Sequence, residues 1–82
     1  MAKTRKHNRN QHGINVLAKN IRKYRKLKGL TIQQLADKLD VDYSQISRME
    51  RATVNASVSI IFDIATLLEV QPKNLLNEDN IE

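Results

Sequence analysis

The 82-residue chain contains no cysteine and no tryptophan, one proline and two glycines. The absence of cysteine excludes both a disulfide framework and a thiolate metal site. Its only aromatic residues are Tyr24, Tyr43 and Phe62, so the core must be built from aliphatic side chains. One domain is expected at this length, and such a small domain buries only about 60% of its unfolded surface.

Long apolar runs and catalytic motifs are also missing. No run could cross a bilayer and no segment resembles a signal peptide, so a cytoplasmic protein without a membrane partner is expected. A glycine-rich phosphate loop, a metal-spaced cluster and a nucleophile–base pair are absent as well. His7 and His12 lie in a polar stretch without a neighbouring thiol or carboxylate, which makes a poor metal site. We therefore predict no enzyme activity, no cofactor, no metal and no small-molecule ligand.

Acidic residues are absent from the first part of the chain. Residues 1–30 hold ten Lys or Arg and no acid, whereas residues 31–82 hold four Lys or Arg against nine acids. The net charge of +5 thus conceals a basic block beside an acidic one. Such asymmetry suggests an anionic partner on one side of the molecule, although charge alone would favour a plain solvated surface.

The stretch from Thr31 to Ala52, TIQQLADKLDVDYSQISRMERA, predicts two short helices joined by a tight turn. Thr31 and Gln34 form a T-x-x-Q capping box, and Asp42 is suited to cap the second helix. The first helix has an apolar face at helical spacing, and Asp40-Val41 forms the turn. This arrangement is typical of a helix-turn-helix unit.

The second helix of this unit separates apolar from polar residues. Ile46 and Met49 fall on one side and are predicted to face inward. A polar and basic stripe falls on the other side, made of Ser44, Ser47, Arg48 and Arg51. A short helix with one anchored face and one face that can form hydrogen bonds suits the major groove of DNA.

Flanking segments complete an all-α fold of five helices in one compact domain. A first helix over residues 14–28 could begin at Asn15 and stop at Gly29. A fourth helix over 57–69 begins at Ser57, and Pro72 starts a short fifth helix. We predict a flexible basic arm at 1–13, a helix-turn-helix domain at 14–77 and an acidic tail at 78–82. The arm could follow phosphates or be a plain untethered tail.

Three segments together carry a family likeness: IRKYRKLKGLT (21–31), QQLADKLDVDYSQISRMER (33–51) and IIFDIATLLEVQPKNLL (60–76). From Leu17 to Leu76, about three quarters of the chain, the sequence resembles the Xre/Cro, lambda-repressor-like helix-turn-helix proteins. The resemblance implies that residues 42–51 form the recognition helix. It also implies that Arg25 pairs with Glu50, bracing the first helix against the third.

The resemblance also implies roles for exposed polar residues. Arg48 is expected to read a base directly, because bidentate arginine–guanine pairing is the commonest specific contact. The other expected base-facing positions are Ser44, Tyr43, Gln45 and Ser47, of which the last three could face bases or backbone. Expected phosphate contacts, which position the protein without specifying sequence, are Gln33, Lys38 and Arg51.

Three departures from the family pattern lie outside this stripe. Ile32 stands where glutamine is common, so one phosphate contact is lost. Ala52 stands where glycine is common, and a different loop geometry is expected because alanine disfavours positive φ. Ala56 replaces a common proline, so the loop is expected to be less rigid.

Family members usually bind inverted repeats as two-fold dimers, with recognition helices about 34 Å apart. Candidate interface residues here are Ile60, Leu67, Leu75 and Leu76. The leading hypothesis is a dimeric, sequence-specific double-stranded DNA-binding regulator of repressor or restriction–modification controller type. The alternative is an antitoxin or another interaction module of the same fold that acts through a partner protein.

Overall fold

The computed structural model describes residues 9–78, which form five α-helices and no β-strand. The helices are α1 (Gln11–Leu27), α2 (Ile32–Leu39), α3 (Tyr43–Glu50), α4 (Val58–Leu68) and α5 (Pro72–Leu75). The predicted all-α, five-helix fold is therefore confirmed. Most of the predicted basic arm and acidic tail falls on residues 1–8 and 79–82, which lie outside the described part.

Helix α1 begins earlier than predicted. The side chain of Asn10 caps it by accepting a hydrogen bond from the Gly13 N–H at 2.8 Å. Asn15, the predicted cap, lies inside the helix and accepts instead from the Gln11 amide at 2.9 Å. Asparagine is a good cap at either position. With Asn10 as the cap, Gln11 lies in the first turn of α1 and donates to the Ala52 carbonyl, 41 residues away in sequence, at 3.0 Å.

The predicted caps of α2 and α4 are confirmed. Thr31 accepts from the Gln34 N–H at 3.0 Å, and the Gln34 side chain accepts from the Thr31 N–H at 2.9 Å, which completes a capping box. Ser57 accepts from the Ile60 N–H at 3.2 Å. Asp42 occupies the cap position of α3 but makes no side-chain capping bond.

Helices α1 to α4 all end in the same left-handed turn. The residues with positive φ are Gly29 (76°), Asp40 (60°), Ala52 (61°) and Glu69 (62°). After each of them, the next N–H returns to a helix carbonyl five residues back, as in a Schellman motif. The expectation of a different geometry at Ala52 was wrong, because the two turn hydrogen bonds and the Gln11 contact outweigh alanine's preference.

The core is aliphatic and joins all five helices. Helix α1 packs against α3, α4 and α5, while α2 packs against α3 and α4. The largest fully buried side chains of the core are aliphatic apart from one asparagine: Ile21, Leu35, Ile46, Ile64, Leu75 and Asn20. Burial of each such aliphatic side chain contributes about 1.5–3 kcal/mol. Helices α2 and α3 are thereby fixed on a scaffold formed by the other three.

The inward face of α4 differs from the one that its apolar spacing predicts, which is made of Val58, Ile61, Ile64, Ala65 and Leu68. Val58 is instead 69% exposed, whereas Ile60 is only 8% exposed. The buried residues of α4 are Ile60, Ile64, Ala65 and Leu68. Because α4 is apolar on nearly every side, hydrophobic spacing alone could not decide which side faces the core.

Asn20 ties the end of the chain to α1. It is completely buried, and its side-chain amide donates to the carbonyls of Leu75 at 2.9 Å and Asn77 at 3.1 Å. These two carbonyls lie at and just after the end of α5, where helix partners are absent. Asn20 was not predicted, although a polar residue among apolar residues at helical spacing, here Leu17 and Ile21 of the core, was a usable signal. No described helix has the length and apolarity needed to span a membrane.

Candidate nucleic-acid interface

Helix α3 is anchored by one face only. Ile46 is fully buried and Met49 is 3% exposed, as predicted, and both belong to the core. Glu50 is also buried at the end of the helix. The opposite face of α3 is therefore held rigidly at the surface, where its side chains can reach another molecule.

Exposed on that face are Ser44 and the two arginines Arg48 and Arg51. One terminal nitrogen of Arg48 lies 3.4 Å from the Ser44 hydroxyl, and Arg51 Nε lies 3.3 Å from both the hydroxyl and the carbonyl of Ser47. Within residues 9–78 neither guanidinium pairs with a carboxylate. Both keep donors and positive charge for an anionic or hydrogen-bonding ligand.

The other predicted base-facing residues occupy the flanks of the same surface. Tyr43 is 49% exposed at the start of α3. Gln45 is exposed and, with Arg48 and Asn55, lines a cleft of about 240 Å³ between α3 and the following loop. Ser47 is half-buried, and its hydroxyl is the group that contacts Arg51. All five predicted readout positions thus belong to one helix, and Ser47 is the least accessible of them.

The ion pair of Arg25 and Glu50 has the geometry expected from the resemblance. Arg25 Nε and one terminal nitrogen donate to the two carboxylate oxygens at 2.6 and 2.9 Å, forming a bidentate pair. Both side chains are at least nine-tenths buried. The other terminal nitrogen donates to the Leu30 carbonyl at 2.8 Å. This pair therefore fixes the end of α3 against α1 and against the turn that leads to α2.

Arg22 forms a second link that sequence reasoning missed. Its guanidinium donates to the Glu50 carbonyl at 2.6 Å, which satisfies a carbonyl at the end of α3. Its position among the other cations of α1 gave no local signal, because the contact arises only where α1 meets α3. Two arginines, one turn apart on α1, thus hold the same end of α3.

The three predicted phosphate contacts come from different parts of the helix-turn-helix unit and are all exposed. Arg51 lies on the exposed face of α3. Gln33 is exposed near the start of α2, where its amide donates to Asp37 at 2.8 Å. Lys38 lines a different cleft of about 510 Å³ with Lys28, Leu30 and Leu67. No residue of α3 lines that cleft, and Lys38, which is exposed, stays a predicted phosphate contact.

The predicted interface residues divide into two groups. Ile60 and Leu75 are buried in the chain's own core, at 8% and 0% exposure, and are corrected to core residues. Leu67 is half-buried and packs against that core, while Leu76 is 54% exposed. Further exposed apolar side chains on α4 are Val58 at 69% and Phe62 at 54%. An apolar residue outside the inward stripe of α4 was the signal that could have found Phe62.

Residues 9–78 contain no group of three or more His, Asp or Glu side chains placed to hold a metal ion. His12 is paired with Glu78 at 2.8 Å, and both side chains are largely exposed. Asp37 and Asp40 are exposed acids.

Helices α2 and α3, with the tight turn at Asp40 and Val41 between them, form a helix-turn-helix unit whose second helix is exposed on one face. Residues 21–75 match the family model HTH_3, described as helix-turn-helix. Since this match covers more than half of the chain, the protein belongs to the HTH_3 helix-turn-helix family. The resemblance to Xre/Cro, lambda-repressor-like proteins is confirmed.

Curated and solved relatives agree with this assignment. The chain is 34% identical over 64 residues to the HTH-type transcriptional regulator SinR of Bacillus licheniformis, covering 77% of this chain and 58% of that protein. It therefore spans little more than half of the length of this relative. The family is described as helix-turn-helix and the relative as a transcriptional regulator. Neither description is that of an enzyme, in agreement with the prediction.

Among solved structures, a hypothetical transcription factor NHTF from Neisseria superposes with a TM-score of 0.77 and 29% identity, covering 92% of this chain and 87% of that one. The restriction–modification controller protein C.AhdI from Aeromonas hydrophila gives a TM-score of 0.72 and 31% identity, and the match covers 76% of this chain and 94% of that one. An HTH_3 family transcriptional regulator from Vibrio cholerae, 20% identical with a TM-score of 0.74, covers 79% of this chain and 36% of that one and shares the fold.

Proposed function

We propose that the protein is a transcriptional regulator that binds double-stranded DNA sequence-specifically, as a homodimer on an inverted repeat. The observation that carries this proposal is the exposed stripe of Ser44, Arg48 and Arg51 on a helix whose other face is fixed in the core. Relatives described as a transcriptional regulator and as a controller protein support the same function. A repressor or a restriction–modification controller is the type we favour.

In this proposal α3 lies in the major groove. Arg48 donates two hydrogen bonds to guanine O6 and N7, and Ser44 contacts a neighbouring base edge. Tyr43 and Gln45, in the first turn of α3, contact bases or backbone. Gln33 and Arg51 bind phosphates and so fix how deeply α3 enters the groove. The brace formed by Arg25 keeps the helix at the angle that these contacts require.

A dimer is supported by an exposed apolar surface on α4 and beyond α5. Val58 and Phe62 are one turn apart on α4 and project outward. Leu76 is exposed beside Ile61, and both line a cleft of about 320 Å³ between α1 and α4. Large apolar side chains that a small protein exposes are candidates for an interaction site. We propose that the apolar surface of Val58, Phe62 and Leu76 contacts a second copy of the chain.

The DNA-binding proposal is tested by selecting sites from a random duplex pool at low and at near-physiological salt. An inverted-repeat motif that is still selected at the higher salt is the expected result. Binding that is blind to sequence and disappears with added salt would refute the proposal, since it would reflect phosphate neutralisation alone. In that case the alternative of a module acting through a partner protein would take its place.

The dimer is tested separately by sedimentation of Phe62→Asp beside Ser59→Asp. The two variants add the same charge to exposed positions of the same helix. Phe62→Asp should shift the protein towards monomer and weaken binding to the full inverted repeat, whereas Ser59→Asp should remain dimeric. If both variants sediment like the unaltered protein, the apolar surface is not the dimer contact.

A further inference from the structure

A basic cleft lies between α1 and the end of α3, beside the recognition surface. It has a volume of about 530 Å³ and is lined on the α1 side by Asn15, Lys19 and Arg22. On the other side are Arg51 and the backbone turn at Ala52. The three α1 residues are spaced i, i+4 and i+7, so one face of α1 supplies this wall.

The positive charge of this cleft is not neutralised by the described protein. Helix α1 contains no acidic residue. Glu50 also borders the cleft, but its carboxylate is already bound in a bidentate pair by Arg25. Arg22 uses one N–H on the Glu50 carbonyl and keeps the other donors of its guanidinium. Lys19 is exposed and pairs with no carboxylate among residues 9–78.

Arg51 connects the cleft to the readout stripe. It follows Ser44 and Arg48 along the exposed face of α3 and also lines the cleft. A ligand that covers the stripe and continues past the end of α3 therefore meets Lys19 and Arg22 next. A DNA strand bordering the occupied groove is such a ligand, because it presents a phosphate at every nucleotide.

We propose that this cleft binds a phosphodiester of the DNA backbone, so that α1 holds DNA through Lys19 and Arg22 in addition to α3. This inference rests on the proposed function. A contact of this kind adds affinity without specifying sequence, and it makes binding more sensitive to salt. Helix α1 would thus both brace the recognition helix and contact the backbone.

The first test compares Lys19→Gln with Lys73→Gln in the full chain. Both variants remove one exposed lysine charge, but Lys73 lies on α5 and does not line the cleft. For Lys19→Gln, the slope of log affinity against log salt should become shallower by about 0.9 per bound protomer, with the selected site unchanged. Lys73→Gln should keep the original slope. Equal slopes for the two variants would overturn the proposal.

A second test locates the phosphate. Single phosphates of the selected site are replaced in turn by neutral methylphosphonates, and each duplex is titrated with both proteins. One position beyond the bases read by α3 should weaken binding of the unaltered protein and have no further effect on Lys19→Gln. If every position weakens both proteins equally, Lys19 contacts no single phosphate and the proposal fails. Absence of any selected site in the unaltered protein would instead refute the proposed function.

Free phosphate is the other possible source of the same chemistry. Amide chemical shifts of Lys19, Arg22 and Ala52 are followed while inorganic phosphate or the operator duplex is added. The duplex should move these signals at one equivalent, whereas inorganic phosphate should move them only weakly at far higher concentration. Saturation by inorganic phosphate, together with signals unmoved by DNA, would overturn the assignment to the DNA backbone.

Discussion

Breaking the ion pair between Arg25 and Glu50 should destabilise the domain more than breaking any exposed pair. Both groups are almost completely removed from water, and each is the other's charge partner. Removal of one leaves an uncompensated buried charge, which costs about 3–5 kcal/mol. We therefore expect Arg25→Met and Glu50→Leu each to lower the unfolding free energy by at least about 3 kcal/mol.

This expected loss of unfolding free energy is large in relation to the total stability of a domain of this size. A chain of this length is expected to have a total stability of about 4–12 kcal/mol, from about 0.05–0.15 kcal/mol per residue. A loss of about 3 kcal/mol corresponds to a fall in Tm of about 12 °C or more for a domain of this size. Arg25→Met also removes the hydrogen bond to the Leu30 carbonyl, so it should be the more damaging of the two variants.

The assay is urea unfolding followed by circular dichroism, on both single variants and on the double variant. The double variant should lose clearly less than the sum of the single losses, because it leaves no buried charge unpaired. Lys28→Met is the control, since it breaks the exposed pair with Glu69 and should change stability far less. Single losses below about 1 kcal/mol, or strict additivity in the double variant, would refute the reasoning.

Three further changes test separate parts of the account. Arg48→Ala should reduce discrimination at one base pair by about 1–3 kcal/mol, measured by competition between the selected site and single-base variants; unchanged preference would contradict direct readout by this residue. Ala52→Gly should raise the unfolding free energy by about 0.5–1 kcal/mol, because the left-handed backbone strains alanine; Ala56→Gly, at a position without positive φ, should lower it. The hydrogen bond and charge of Lys28 lower the pKa of the Glu69 carboxyl below 4.5, so this stabilisation is full above pH 4.5 and is lost as the pH falls through the folded-state pKa. Glu69→Gln should therefore be less stable than the unaltered protein near neutral pH and equally stable in acid, and a constant difference across the pH range would contradict this.

Local chemistry was sufficient to predict the helices that begin with a distinctive cap. The box of Thr31 and Gln34 and the cap at Ser57 satisfy N–H groups within the first turn, and no remote residue is needed. The end of α1 was likewise predictable from one residue, because Gly29 adopts the positive φ of the turn at little cost. The inward side of α3 was also predictable, because Ile46 and Met49 are the apolar residues inside that helix.

Remote contacts explain what could not be predicted. Asn10 and Asn15 are equivalent as caps in local terms, and the contact between Gln11 and the Ala52 carbonyl is seen only after α1 packs beside α3. The same contact helps to hold Ala52 at a φ of 61°. On α4, hydrophobicity on nearly every side left the direction of Ile60 undetermined until the other helices were in place.

The recognition surface also has parts that local sequence predicts and parts that depend on contacts between distant residues. Its side chains could be predicted because an amphipathic helix shows in sequence which residues it exposes. Of its support, the ion pair of Arg25 and Glu50 was expected only from the family resemblance. The contact of Arg22 with the Glu50 carbonyl could not be predicted, because it forms only where α1 and α3 cross. The cleft beside Arg51 arises from that same crossing, so its cations resemble ordinary surface lysines and arginines in the sequence. Because α1 braces α3, it lies at the side of α3. The outward-facing charges of α1 are therefore next to whatever α3 binds.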